Sequence, residues 1–380
     1  MINGKIAVLY IDHSLGCPGG ATLSLYNLVK SVKDYVYPIV VVREHGDTEK
    51  LFLSVGCEVI VSKVCSNVLE SGFIAYKKFI PHIFNEIYVH RKLKSDVLKL
   101  LNGRTIDIVH SNTVFYNVGF HLSKALKTKH IWHVREMLDI SFGFRPFWGW
   151  NKFFNELSQS DSIIAITKAV FDHYKLDRYS QSIYLWDAVM DAGRNYYDKN
   201  KSKYLLFCAA GISECKGLDS LLNSYALSGL KNEGYRLRVI GKFDDLAYKS
   251  KIMNLVETLK LRDYIDFLGY CKDISSEMKK ATAIVMSSYN EGLGRVAVEA
   301  MFYGCPVIAR NCGGPAEFLT DGDNAHLFLS DEECASCMKA VVCEDQYEMT
   351  MRAQQYAIDN FSEEVYGKKI FDIYRQILKL

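Results

Sequence analysis

The sequence predicts an α/β protein made of two doubly wound, parallel-sheet domains. Short apolar runs rich in β-branched residues alternate with helical spacing twice over, first between Lys5 and Ile166 and again between Tyr204 and Leu329, the pattern of parallel strands joined by crossover helices. Between the two series, residues 187–203 (DAVMDAGRNYYDKNKSK) lose the apolar pattern and read as an interdomain linker. A length of 380 residues accommodates two or three domains.

In the first series, Lys5–Asp12 (KIAVLYID) reads as a buried strand. The glycine-rich turn His13–Ala21 follows, then a helix through Leu23, Tyr26, Leu28 and Val29. Glycines at 16, 19 and 20 do not fit G-x-G-x-x-G, so this is not a dinucleotide fingerprint. Further strands are expected at Pro38–Arg43, Cys57–Val64, Ile106–His110, His130–Val134 and Ser162–Ile166. Two stretches break the rhythm. Residues 73–104 carry Lys77, Lys78, Arg91, Lys92, Lys94, Lys99 and Arg104 against Glu86 and Asp96, interleaved with Phe73, Tyr76, Phe79, Phe84 and Tyr88. Residues 142–154 (FGFRPFWGWNKFF) are dense in aromatics. A basic, aromatic, partly helical face of this kind suits an anionic bilayer surface; the plainer reading is an amphipathic helix packed on its own domain.

The second series places strands at Tyr204–Ala210, Tyr235–Ile240, Tyr264–Leu268, Ala281–Ser287, Pro306–Ala309 and His326–Leu329. The final run, Ser362 to Leu380, begins with an N-cap serine and two glutamates. It aligns Val365, Tyr366, Ile370, Ile373, Tyr374 and Ile377 on one helical face.

Composition excludes several classes. Hydrophobic content of 49% and charged content of 24% are ordinary for a globular protein. No run reaches the ~18 apolar residues of a membrane span, and Ile6–Ile11 is too short and strand-like for a secretory signal, so the mature chain is expected to begin at or near Met1. A net charge of +2 provides no field to bind nucleic acid generally. Residues 1–190 hold 22 Lys and Arg against 17 Asp and Glu, +5, leaving −3 for the remainder, so the first half is the basic one. Eleven irregularly spaced cysteines point to reduced thiols and a cytosolic setting. Cys334 and Cys337 have metal-site spacing but no second pair, and their flanks read as a helix start.

The most informative stretch is Ser288–Gly304 (SYNEGLGRVAVEAMFYG), followed by Cys305-Pro306-Val307-Ile308. A buried strand, Ala283–Met286, leads through a glycine-rich turn to a helix beginning after Gly294. Glu291 then lies at the strand's carboxyl end, where open α/β sheets bind ligands, and Glu299 lies two turns into the helix. Backbone amides of Gly292, Leu293 and Gly294 at the helix N-terminus favour phosphate.

The spacing Glu291-x7-Glu299, inside EGLGRVAVEAM and trailed by GCPVIARNCGGPAEF, resembles the signature of retaining GT-B glycosyltransferases of family 4. The resemblance implies a GT-B architecture of two facing Rossmann-like domains: an acceptor-side domain at 1–190, to which a helix at 362–380 crosses back, and a nucleotide-sugar-binding domain at 204–361. It implies a metal-independent hexosyltransferase with no cofactor beyond its nucleotide-sugar donor. Glu299 matches the residue that holds the ribose hydroxyls, and Glu291 the one beside the donor sugar. Lys216, in AAGISECKGL, matches the lysine that grips the diphosphate. The arginine that accompanies it in the family is here Gly211, and Arg295 or Lys242 is the candidate replacement. Gly19 and Gly20 match the glycines that approach the diphosphate, and His133, in HIWHVRE, a histidine facing the donor sugar; Arg135 and Glu136 beside it read as an ion pair. The expected partners are a nucleotide-sugar donor, a glycan or lipid-linked glycan acceptor and an anionic membrane surface on the cytoplasmic side. An epimerase on the same fold, or a non-catalytic sugar-nucleotide-binding protein, is the competing reading.

Overall fold

Ile6–Ile11 (β1) is apolar at every position because helices cover both faces of its sheet. Ile6, Val8 and Tyr10 pack with Leu25 and Leu28 of the helix Gly20–Val32 and with Tyr366, Ile370 and Tyr374 of the helix Glu363–Leu378. Ala7, Leu9 and Ile11 pack on the other side with Leu93 and Val97 of the helix Tyr76–Leu101. The two-residue period of a strand thus feeds two cores. This computed structural model describes residues 1–14, 16, 18–70, 76–191, 197–271 and 273–380, without the side chains of residues 76–79.

Contact density divides the chain into two units, Met1–Ala188 with Glu363–Leu380, and Val189–Ser362. In the first, β1 is followed by β2 (Val36–Val42), β3 (Glu58–Val61), β4 (Val68–Glu70), β5 (Ile108–Ser111), β6 (Lys129–Val134), β7 (Phe144–Pro146), β8 (Ser162–Ala165) and β9 (Ser182–Tyr184). Seven of these form a parallel sheet in the order β3-β2-β1-β5-β6-β8-β9, and β4 pairs antiparallel with β7. The second unit holds β10 (Ser202–Ile212), β11 (Arg236–Phe243), β12 (Ile265–Gly269), β13 (Ala281–Met286), β14 (Val307–Arg310) and β15 (His326–Phe328). They form a parallel sheet ordered β12-β11-β10-β13-β14-β15.

Every strand expected from the sequence forms. The β4–β7 pair and β9 were not expected, because three residues are too few to display a period. The stretch 73–104 becomes one helix, Tyr76–Leu101. Phe73 lies outside the described residues, as do the side chains of Tyr76, Lys77, Lys78 and Phe79. Arg104 is not part of a free basic face, since its fork holds Glu58 at 2.8 and 2.9 Å. The segment read as a linker is structured at both ends: Asp187, Ala188 and Val189 are buried, and β10 starts at Ser202. Residues 192–196 within it lie outside the described residues. Cys334 and Cys337 sit on the helix Asp331–Cys343, which Ser330 and Glu333 close with a capping box, and the described cysteines are all unpaired.

The helix Glu363–Leu378 lies against the helix Gly20–Val32, with Lys30 Nζ 2.9 Å from Glu363 and Tyr35 stacked on Phe371 at 4.8 Å. Their approach is set by Gly367, where an added Cβ would meet the Ser31 carbonyl oxygen at 2.5 Å. In an exposed helix interior, alanine is better than glycine by about 1 kcal/mol. Here the sign should reverse: Gly367→Ala should destabilise the first unit by about 1–3 kcal/mol, as overpacking does. A denaturant titration checks this, and a raised midpoint would show that the helices separate freely at this point.

Candidate active site

The site is built around the segment leaving β13, a strand buried at all six positions between β10 and β14. Three glycines fix its path. Gly217, after β10, has φ +64, and a Cβ there would stand 2.2 Å from the Ser287 carbonyl oxygen. Gly313, after β14, has φ +56, and its Cβ would stand 2.4 Å from the Glu291 carbonyl oxygen. Gly294, the N-cap of the helix Arg295–Phe302, has φ +77 and comes within 2.7 Å of Pro315 by the same measure. Hydrogen bonds stitch these turns together: Tyr289 N donates to the Cys215 carbonyl (2.9 Å), Gly314 N to that of Glu291 (2.9 Å), and Ser287 Oγ to that of Lys216 (3.1 Å).

This convergence brings Lys216 Nζ within 2.6 Å of Glu291 Oε1, which also accepts from Ser288 Oγ at 2.8 Å. Burial presses the Lys216 ammonium toward its neutral form, and Glu291 more than offsets this, so its pKa stands above the ordinary lysine value. One turn into the helix, Arg295 Nη2 lies 3.5 Å from Glu299 Oε1. Burial pushes the Glu299 carboxyl upward, an effect that Arg295 partly counters. The amides of Gly292, Leu293 and Gly294 donate to no acceptor among the described residues. Lys216, Glu291, Arg295, Glu299 and these amides therefore occupy the carboxyl edge of one sheet, a charged and amide-rich surface suited to an anionic ligand.

Gly211 has a structural cause of its own. An added Cβ would lie 2.3 and 2.4 Å from the two carboxylate oxygens of Asp244, so a longer side chain there requires this exposed carboxylate to turn aside. Burial raises the Asp244 pKa, while Lys216 and Lys242 pull it down. Lys242 stands beside Gly211 in the β10–β11 register.

In the first unit, Gly19 and Gly20 are exposed at the start of the helix Gly20–Val32. A Cβ on either would meet nothing within 4 Å, and neither has positive φ, so nothing within the chain demands glycine there. His133 is the penultimate residue of β6 and has no exposed surface. Its Nδ1 lies 3.2 Å from His110 Nε2 and 3.4 Å from Arg135 Nη2, and Asp187 Oδ1 is 3.5 Å from its Nε2. His110 continues to Tyr374 (2.9 Å), which reaches Tyr10 (3.2 Å). Burial, and then Arg135, hold the His133 pKa well below the usual histidine value.

Arg135 does not pair with its neighbour, as the sequence suggested. It pairs with Asp187, which also accepts from Tyr366 at 3.0 Å, because both are buried where the segment after β9 meets the C-terminal helix. Glu136 instead accepts from Thr113 Oγ1 at 2.9 Å, and burial pushes its pKa up to about 7. Sequence reading missed Asp187, Ser288, His110 and Asp244. For Asp187 a signal existed, a lone carboxylate inside the apolar run Leu185–Met190.

Residues 190–358 match the family model for glycosyl transferases group 1. An uncharacterized glycosyltransferase of Methanocaldococcus jannaschii, MJ1178, is 27% identical over 317 residues, 81% of this chain and 80% of that protein. The poly(glycerol-phosphate) alpha-glucosyltransferase of Bacillus subtilis is 23% identical over 52% of this chain and 32% of its own length. The crystal structure of Anabaena HepE (Alr3699) in complex with UDP-glucose superposes with a TM-score of 0.78 over 98% of this chain and 99% of that one, at 19% identity. The chain has the GT-B fold. Within this GT-B chain, the group 1 match coincides closely with the second unit, which contains Lys216, Glu291 and Glu299.

Removing one partner of a buried ion pair leaves a charge without solvation, at a cost of about 3–5 kcal/mol. Asp187→Ala should destabilise the first unit by about this amount. A loss below about 1 kcal/mol in chemical denaturation would mean that Arg135 finds water or another acceptor.

Proposed function

We propose that this GT-B chain is a retaining, metal-independent hexosyltransferase that moves a sugar from a nucleotide-sugar donor to a lipid-linked or polysaccharide-precursor acceptor. The setting proposed is the cytoplasmic face of an anionic membrane. The observation that carries the reading is the 2.6 Å pair of Lys216 and Glu291 beside unengaged amides. The UDP-glucose bound by HepE and the polymeric acceptor named for the Bacillus relative support the substrate classes.

Each residue then has a distinct task. Lys216 and the amides of Gly292, Leu293 and Gly294 take the charge that develops on the leaving diphosphate. As Lys216 turns to the diphosphate, Glu291 is left to face the positive charge developing on the sugar. Glu299 accepts from the ribose hydroxyls. This frees Arg295 from Glu299 to supply the second cation that Gly211 does not. His133, Gly19 and Gly20 are assigned to the donor by resemblance.

With UDP as the probe, Glu299→Ala should weaken nucleotide affinity about tenfold, the loss of one buried charged hydrogen bond. Glu291→Gln should lower kcat far more than it weakens UDP binding, as for an interaction that strengthens in the transition state. Equal losses in both quantities would make Glu291 a binding residue only. Sugar nucleotide isomerised without an acceptor would instead favour the epimerase reading.

Because Lys216, Arg295 and backbone amides supply the positive charge, a chelator should leave turnover intact. Loss of activity restored by one specific divalent ion would overturn this charge assignment.

A further inference from the structure

The helix Tyr76–Leu101 has two apolar sides. Val89, Leu93, Val97 and Leu101 are buried against the first unit. At 3.6 residues per turn, Ile80, Phe84, Ile87, Tyr88 and Leu98 fall on the opposite side, and all five are exposed, Phe84 by 68% and Ile80 by 64%. Isolated surface hydrophobics need no explanation, but the cluster Ile80, Phe84, Ile87 and Tyr88 on a helix whose other face already fills a core does. On the same side, Arg91, Lys94, Ser95, Leu98 and Lys99 line an open groove of about 460 Å³.

The helix itself brings no free carboxylate to this side. The helix has two carboxylates, Glu86 and Asp96. Glu86 is buried and accepts from Trp148 Nε1 at 3.0 Å. Asp96 is engaged by Lys92 at 2.5 Å and by Ser62 at 2.8 Å, on the flank of the helix. The groove's polar side chains, Arg91, Lys94, Ser95 and Lys99, can all donate hydrogen bonds, and a phosphodiester oxygen can only accept them.

We propose that this side of the helix docks on an anionic lipid bilayer, with Ile80, Phe84, Ile87 and Tyr88 entering the interface and Arg91, Lys94 and Lys99 receiving lipid phosphates in the groove. The proposal gives a surface to the membrane setting of the transferase reading. Vesicle binding requires no turnover, so the two ideas fail separately.

The test is flotation of the full chain with vesicles of phosphatidylcholine alone or mixed with phosphatidylglycerol. The chain should float with the anionic vesicles at low salt, less so at high salt, and not with the neutral ones. A cation at such a surface contributes about fivefold in partitioning. R91E/K94E/K99E should therefore reduce flotation at least about tenfold while UDP affinity and thermal midpoint stay unchanged. Phe84→Ser with Ile87→Ser should also weaken flotation, through the apolar contribution. Wild-type protein that stays below anionic vesicles at low salt overturns the proposal. Flotation unaltered by charge reversal does so too, as does a concentration-dependent dimer that Phe84→Ser abolishes, since the stripe would then be a contact between two copies of the chain.

Discussion

The chemistry assigned to this chain depends on crowding at one place, the backbone between Ser287 and Gly294. Carbonyl oxygens of Ser287 and Glu291 stand where side chains of Gly217 and Gly313 would otherwise begin, and Pro315 presses on Gly294. Three turns from three strands of one sheet can come this close only where Cβ atoms are missing and positive φ is tolerated. The close approach places a lysine and a glutamate from positions 75 residues apart at hydrogen-bond distance. The backbone thereby gathers the charges before a ligand arrives, leaving only side chains to reorient.

Much of this was legible in the sequence, and for identifiable reasons. Strands buried on both faces read as unbroken apolar runs, so Ile6–Ile11 and Ala281–Met286 announced themselves. The eight-residue step from Glu291 to Glu299 spans one turn and one helix, a local geometry that a linear pattern records. Contacts made between distant segments left no such trace. Nothing near Arg135 points to Asp187, which lies beyond three further strands, and nothing near Gly211 tells that the Asp244 carboxylate occupies the space beside it. Asp187 opens the stretch that was read as an interdomain linker, yet it is buried because Arg135 and Tyr366 satisfy it.

The two units treat charge in opposite ways. In the first, His110, His133, Arg135, Asp187 and two tyrosines of the C-terminal helix are joined in a buried network that leaves His133 Nε2 without a hydrogen-bond partner among the described residues, with burial disfavouring the protonated histidines. Such a network specifies how the C-terminal helix seats, because each member lost leaves another unpaired. In the second, Lys216 and Glu291 keep partial access to solvent, and so can exchange one partner for another.

The helix Glu363–Leu378 completes the first unit although the whole of the second unit precedes it in the chain. A ribosome therefore emits the first sheet long before Tyr366, Ile370 and Tyr374, the side chains that close its core, exist. Val189–Ser362 can fold as soon as it emerges, whereas Met1–Ala188 must wait with Tyr10, His110 and Asp187 each short of a partner. The order of synthesis thus runs against the order of completion. During translation, the first unit therefore exposes the apolar surface that Tyr366, Ile370 and Tyr374 later cover.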